Sequence, residues 1–351
     1  MTSPLAITRI ALLTPFGFDT WSALLADRRL SDNSQIPDAL LDPDLAADTT
    51  LDRSLRLALT VARRALPSPA PPDTALFCAT SKGPITTWLA ALDTLAASQP
   101  LSTSQAAHLA LGAGAMSSIL AKRLHLRGTA HTSVAACASG MHALHRAARA
   151  VARGEAPRAL VVAADASLHP LFTASFTRLG VLAPADENGI RRCEPFSAEG
   201  AGFFLTEAAA AILIEAHPTE SPLAWIEEAR LAADSTGLIA LDPAGHSLRH
   251  LLQHLAELTP AFLHAHATGT AHDAHELAAL RSAFPSAPVF SHKRWLGHSL
   301  GAAGLVSIAL SALAHHHRIT PLHTPVPPGS RSLTLAQGFG GHIALTTLRS
   351  A

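Results

Sequence analysis

The sequence has no tyrosine, almost no lysine, and only three cysteines in 351 residues. Cys78, Cys137 and Cys193 are too few and too scattered for a disulfide framework, and their odd number leaves at least one free thiol. Charge is sparse: 15% of residues are Asp, Glu, Lys or Arg, and the formal net charge is zero with histidines neutral. That balance carries no electrostatic footprint for nucleic acid. Long apolar runs are missing too. The Ala-rich stretches are broken by charge or Gly before the roughly 20 residues that a membrane span needs. Residues 1–11 lack the basic start and apolar core of a signal peptide. The expectation is a reducing, cytoplasmic setting with no membrane span. Acidic residues stop at Glu276, whereas Arg281, Lys293, Arg294, Arg318, Arg331 and Arg349 follow it. A basic C-terminal face could meet an acidic partner, although solvated surface is the ordinary reading of any one of these residues.

What is present is apolar mass. Hydrophobic residues make up 48% of the chain, enough for a large core in one big domain or two fused units. Alanine is abundant and histidine reaches 21, a composition bias under which most histidines need no mechanism. Strand and helix signals alternate. Strands are predicted over 5–13, 74–79, 131–136, 159–164, 208–215, 223–231, 261–265, 288–291, 333–336 and 342–348. Helices are predicted over 21–28, 51–66, 104–124, 139–153, 247–258, from about 273, and over 301–315. Alternation over this length argues for α/β layers. Pro218 to Pro222 marks a seam, giving halves 1–217 and 218–351. No strict sequence repeat relates them, so any duplication is structural.

Three segments carry chemistry. In Ser133-Val134-Ala135-Ala136-Cys137-Ala138-Ser139-Gly140-Met141, a thiol sits between a strand and a helix, where free N–H groups and the helix dipole favour thiolate. Small neighbours allow a tight turn. A free cysteine is more often inert packing, and Cys78 and Cys193, without this setting, keep that reading. In Leu263-His264-Ala265-His266-Ala267-Thr268-Gly269-Thr270, a buried strand ends at a histidine, which places it in the usual ligand crevice of α/β sheets. His264 and His266 could instead share a metal ion with His272 and His275, although the spacing is no recognised zinc pattern. The third segment is Ser291-His292-Lys293-Arg294-Trp295-Leu296-Gly297-His298-Ser299-Leu300-Gly301-Ala302-Ala303-Gly304. Its Gly297-His298-Ser299-Leu300-Gly301 fits a hydrolase G-x-S-x-G elbow, but no Asp or Glu follows Ser299, so the serine triad cannot be completed.

With Cys137, His266 and His298 in this order and these flanks, the chain resembles the elongating, Cys-His-His type of β-ketoacyl-acyl-carrier-protein synthase. The family's TACASG-like, AHGTxT and KxxxGHxxGAAG segments correspond to 134–140, 265–270 and 293–304. Glu194-Pro195-Phe196 through Gly202-Phe203 to Glu207 resembles its RPFD…DGFVxGEGA stretch, and Gly338-Phe339-Gly340-Gly341 its GFGG turn. The resemblance implies an α/β, thiolase-like fold, with two pseudo-duplicated βαβαβ halves in a layered αβαβα arrangement. It implies that Cys137 takes up an acyl group and that His266 and His298 drive decarboxylation of a malonyl thioester and condensation. Lys293 orients the histidines with Glu276 as its partner. The Cys137 and Phe339 N–H groups form the oxyanion hole, Phe339 and Phe203 act as gates, and Thr268, Thr270, Gly338 and Gly340 support the site. The implied partners are acyl carrier protein bearing acyl and malonyl thioesters, and a second ketosynthase-type subunit in a homodimer or heterodimer. No metal or organic cofactor is implied.

The departures lie around the edges. Ala267 stands where the family has glycine, Thr206 and Ala208 replace the GEGA glycines, and His342-Ile343 replaces Thr-Asn. The N-terminal third matches poorly and the chain is shorter than typical elongating synthases, so the acyl-pocket cap and dimer edge are expected to be reduced. A thiolase would need a second cysteine near the C-terminus, and none follows Cys193. His298 disfavours the Cys-His-Asn synthases. The alternative of a different class is a non-condensing partner, similar to a chain-length factor, or a decarboxylase-only variant. Such subunits usually replace the nucleophile.

Overall fold

The computed structural model describes residues 3–32 and 34–351. In the first half β1 (Leu5–Leu13), β2 (Ala75–Ala79), β3 (Ala130–Ser133), β4 (Arg158–Asp165) and β5 (Ala208–Glu215) lie in the order β3-β2-β4-β5-β1. The second half comprises β6 (Ala224–Ala233), β7 (Pro260–His264), β8 (Val289–Phe290), β9 (Arg331–Gly338) and β10 (His342–Ser350). It repeats that order as β8-β7-β9-β10-β6. The duplication that no sequence repeat reveals is therefore one of topology. The two first strands, β1 and β6, pair antiparallel and join both halves into one ten-stranded sheet.

The helices are α1 (Thr20–Leu25), α2 (Pro43–Ala47), α3 (Arg53–Ala65), α4 (Ile85–Ala96), α5 (Thr103–Leu111) and α6 (Ala115–Arg123). They continue with α7 (Ser139–Ala152), α8 (Pro170–Arg178), α9 (His246–Gln253), α10 (His272–Ala283), α11 (Lys293–Leu296) and α12 (Ala303–His317). Three apolar clusters define the layers. Side chains of α3 and α6 cover one face of the first half, and those of α9 and α10 cover the second half. Between the two halves of the sheet, α7 and α12 form a central layer that is buried on both sides. This explains why 303–314 is apolar all round: it has no solvent face to mark. The two central helices touch through glycine. A Cβ on Gly140 would lie 2.6 Å from the Leu305 nitrogen, and one on Gly304 would lie 3.1 Å from Met141 Cγ.

Most predicted elements occur within a few residues of their expected bounds, with three differences. The helix expected over 104–124 is two helices, because Gly112 takes a φ of +59° and a short 3-10 turn separates them. Helices α4 and α8 are additional: α4 carries an apolar stripe of Ile85, Trp88, Leu89, Leu92 and Leu95 that stays half-buried or exposed, burying only Ala91, and α8 buries only Phe176. The basic C-terminal face is also corrected. Arg331 and Arg349 both pair with Glu227, and Arg294 with Glu194, while Arg281 donates to the Pro285 and Ala287 carbonyls. Acids from earlier in the chain fold back to neutralise much of that tail. No helix among the described residues is long and apolar enough to cross a membrane.

Candidate active site

Cys137 follows β3 and precedes α7 in a tight turn. Ala136 adopts a left-handed φ of +48°, and Ser139 locks the turn by accepting from the Ala135 N–H (2.8 Å) and donating to the Ala136 carbonyl (2.6 Å). The Gly338-Phe339 turn after β9 packs directly on it. A Cβ on Gly338 would lie 2.8 Å from the Ala135 oxygen and 3.1 Å from the Cys137 nitrogen. Gly340, at φ +82°, lets the chain reverse into β10, and its N–H donates to the Leu238 carbonyl (2.7 Å).

The C-terminal half brings two imidazoles to the same place. Cys137, His266 and His298 line one cavity of about 310 Å³, together with Phe203, Thr268, Thr270, Glu276, Gly338 and Phe339. The rings of His266 and His298 meet edge to face at 5.7 Å, and Phe203 stacks edge to face on His298 at 4.8 Å. Burial pushes protonation of both imidazoles well below its usual range, and the Lys293 charge lowers it further. Both rings are neutral at physiological pH. Nδ1 of His298 is buried with no partner among the described residues, so no protein bond fixes its tautomer.

The thiol differs from the expectation. Burial pushes Cys137 up to about 11, outweighing the lowering by the Lys293 and Lys82 charges. The sulfur faces a largely apolar cavity, where desolvation of a thiolate works against the helix N-terminus. Cys78 and Cys193 are wholly buried and pushed higher still.

Lys293 and Glu276 do not form the ion pair expected of them. The Lys293 ammonium donates to the His266 carbonyl, and the Glu276 carboxylate accepts from the His266 N–H (2.7 Å) and the Ala267 N–H (3.0 Å). Burial, together with the Asp273 charge, raises Glu276 to about 7, against the two amide bonds that favour its ionised form. Burial lowers Lys293 while the Glu276 charge holds it up. The Thr268 and Thr270 hydroxyls bond each other at 3.0 Å on the cavity wall.

Several participants carried no recognisable sequence signal. Asp273 accepts from the N–H groups of Thr268 and Gly269 (both 2.8 Å) and of Phe196 (3.0 Å), fixing the threonine turn. Asp165 at the end of β4 ties Ser81 N (3.0 Å) to Gly301 N (3.2 Å). His264, weighed above as a metal ligand beside His266, turns away into a buried hydrogen-bond network. Its Nδ1 bonds Ser311 (3.0 Å) and its Nε2 bonds His292 Nδ1 (3.0 Å), and Ser311 bonds Thr334 (2.9 Å). Among the described residues no group of three His, Cys, Asp or Glu side chains could hold a metal ion. The departure at Thr206 also has a use: its hydroxyl donates to the Leu296 carbonyl (2.7 Å), bracing the turn that presents His298.

The β-ketoacyl synthase N-terminal domain matches residues 20–219 and the C-terminal domain matches 227–326. The chain is 32% identical over 212 residues to 3-oxoacyl-[acyl-carrier-protein] synthase 2 of Mycobacterium leprae, covering 56% of this chain and 50% of that one. It is 30% identical over 243 residues to a Streptomyces violaceoruber protein named as a granaticin polyketide β-ketoacyl synthase, covering 58% and 57%. The chain thus spans little more than half the length of the curated relatives it matches. Among solved structures, the ishigamide ketosynthase/chain length factor superposes with a TM-score of 0.84 at 21% identity, over 99% of both chains. AntDE:AntF, a type II polyketide acyl-carrier protein in complex with its ketosynthase, gives 0.81 at 19% identity, again over 99% of both. These structures establish the thiolase-like fold. With both domain families matched in order along the chain, this protein belongs to the β-ketoacyl synthase family.

Proposed function

We propose that this chain joins an acyl group to malonyl-acyl carrier protein by decarboxylative Claisen condensation, giving 3-oxoacyl-acyl carrier protein in fatty-acid or polyketide-type biosynthesis. The observation that carries this reading is the convergence of Cys137, His266 and His298 on one cavity. The Cys137 sulfur attacks the acyl thioester carbonyl, and its proton leaves with the carrier thiol. The N–H groups of Cys137 and Phe339 hold the oxyanion, a role supported by the close packing of Gly338 on the Cys137 turn. A malonyl thioester then loses carbon dioxide. The electron pair of the broken bond forms an enolate whose oxygen accepts from neutral His266 and His298, and the enolate carbon attacks acyl-Cys137 and expels the thiolate. Phe203 and Phe339 gate the cavity between the two stages.

On this reading, residues 1–217 form the nucleophile half and 218–351 the half carrying both catalytic histidines. The protein works in the cytoplasm with acyl carrier protein, as a homodimer or beside a related subunit. A non-condensing partner subunit would have no use for a thiol, two neutral imidazoles and a buried lysine around one cavity. The test is intact-mass analysis after mixing with an acyl-carrier thioester. The wild type gains the acyl mass and Cys137→Ala does not, while malonyl decarboxylation persists in the mutant. Equal acylation of both proteins would sink the assignment.

A further inference from the structure

Lysine is rare in this chain: Lys82, Lys122 and Lys293 stand against many arginines. Two of the three act on the active site. Lys293 grips the His266 peptide, and Lys82 has no role in the chemistry above. It sits in the turn after β2, which is held rigidly. Gly83 N donates to Thr80 Oγ1 (3.1 Å), and Ser81 is tied through Asp165 to Gly301, three residues past His298. A Cβ on Gly83 would lie 2.9 Å from the Ala113 Cα, so the turn cannot slide outward or be rebuilt cheaply.

That turn aims an ammonium at an aromatic wall. Lys82 Nζ lies 4.8 Å from the Phe172 ring centroid and 5.5 Å from that of Phe176. Phe176 meets Phe203 edge to face at 5.9 Å, and Phe203 meets His298 at 4.8 Å. Phe176 and Phe203 both line the cavity with Cys137. The Lys82 charge is felt at both the Cys137 thiol and the His298 ring. Yet among the described residues the ammonium donates only to a neutral oxygen, Ser81 Oγ (3.0 Å), and forms no ion pair. Two of its three N–H donors are unspent. The rest of this wall, including Leu179, Val181 and Phe339, is apolar.

We propose that Lys82 determines acyl specificity: the pocket at Cys137 prefers an acyl chain bearing an oxygen acceptor, keto or carboxylate, over a saturated chain of equal length. The inference rests on the condensing-enzyme reading. A plain alkyl chain on this wall strips water from a half-buried ammonium and offers nothing in return. An oxygen acceptor takes up one of the unspent donors, and a hydrogen bond to a charged group is worth about tenfold or more in relative rate.

The experiment follows acylation of Cys137 by mass spectrometry with N-acetylcysteamine thioesters of pentanoate, levulinate and the half-thioester of glutarate. All three have the same carbon count. The expected result is that levulinoyl, glutaryl or both acylate the wild type at least about tenfold faster than pentanoyl, and the larger ratio tells which oxygen class is read. In Lys82→Met, which keeps the length and packing of the stem, that ratio collapses towards one. Lys82→Arg, which keeps the charge and the stacking, retains it, and all variants are first checked for an unchanged melting temperature. If pentanoyl matches or beats both oxygenated probes, or if the ratio is the same in Lys82→Met, the proposal falls while the condensing reading stands. If no thioester acylates Cys137, both fall.

Discussion

Lys293 and Glu276 hold the peptide between His266 and Ala267 from opposite sides: the ammonium takes its carbonyl, and the carboxylate takes its N–H at 3.0 Å. Neither charge needs to touch substrate. Each fixes the backbone of an imidazole whose placement matters to a fraction of an ångström. Lys293→Met should therefore slow malonyl decarboxylation about hundredfold, the cost of misplacing one transition-state donor. Cys137 acylation, which does not use His266 and loses only the Lys293 charge that lowers the thiol, should fall by about tenfold at most. Glu276→Gln, which keeps one acceptor oxygen, should cost about tenfold in the same assay. Carbon dioxide release and intact mass, measured side by side, separate the two steps. Equal loss of both would mean that the pair merely holds the fold.

The resting thiol makes a second prediction. With Cys137 pushed up to about 11, its thiolate fraction rises as pH climbs towards that value. Alkylation by iodoacetamide should therefore accelerate about tenfold per pH unit through the neutral range. It should show no plateau below about pH 10. A plateau near pH 7 would show that the helix terminus and the two lysines win over burial after all.

Gly338 offers a steric test of the oxyanion turn. An added methyl would sit 2.8 Å from the Ala135 oxygen and 3.1 Å from the Cys137 nitrogen, neither of which can move without opening the turn. Gly338→Ala should lower the acylation rate about hundredfold and cost about 1–3 kcal/mol in stability. Rates come from stopped reactions read by mass, stability from urea unfolding. Wild-type acylation in this variant would remove the Phe339 N–H from the mechanism.

The buried imidazoles should also set how stability responds to acid. His264 and His292 are fully buried, and burial holds both well below their ordinary value of 6.5. The unfolded chain therefore binds protons below about pH 6.5 that the native state refuses, so stability is complete above that pH and falls as pH drops beneath it. Each such histidine adds about 1.4 kcal/mol per pH unit to the slope. His264→Gln with His292→Thr should make the acid limb of a urea-unfolding series shallower by about twice that amount. An unchanged slope would mean that water reaches the pair.

The sequence was legible where one residue type has one physical consequence. Cys137 between a strand and a helix, histidines at strand ends, and the glycines of 297–304 and 338–341 are local signals that survive in any packing. The charge partners were not legible. Glu276 and Lys293 read as partners but hold two sides of the His266–Ala267 peptide, and the acid-free tail read as a basic face although Glu194 and Glu227 fold back onto it. Helix α8 was silent because it buries a single residue, whereas the Ile85, Trp88, Leu89, Leu92 and Leu95 stripe of α4 was legible and only its exposure came from the structure.

By itself, then, the order of residues determined which thiol and which two imidazoles are the candidates and the alternation of strands and helices, because these depend on short-range geometry. Only the tertiary structure decided which charges meet, that burial outweighs the Lys293 and Lys82 charges at Cys137, and that Lys82 stands against the aromatic wall of the same cavity. Those outcomes depend on solvent exclusion and on contacts between residues hundreds of positions apart, and no local pattern encodes either.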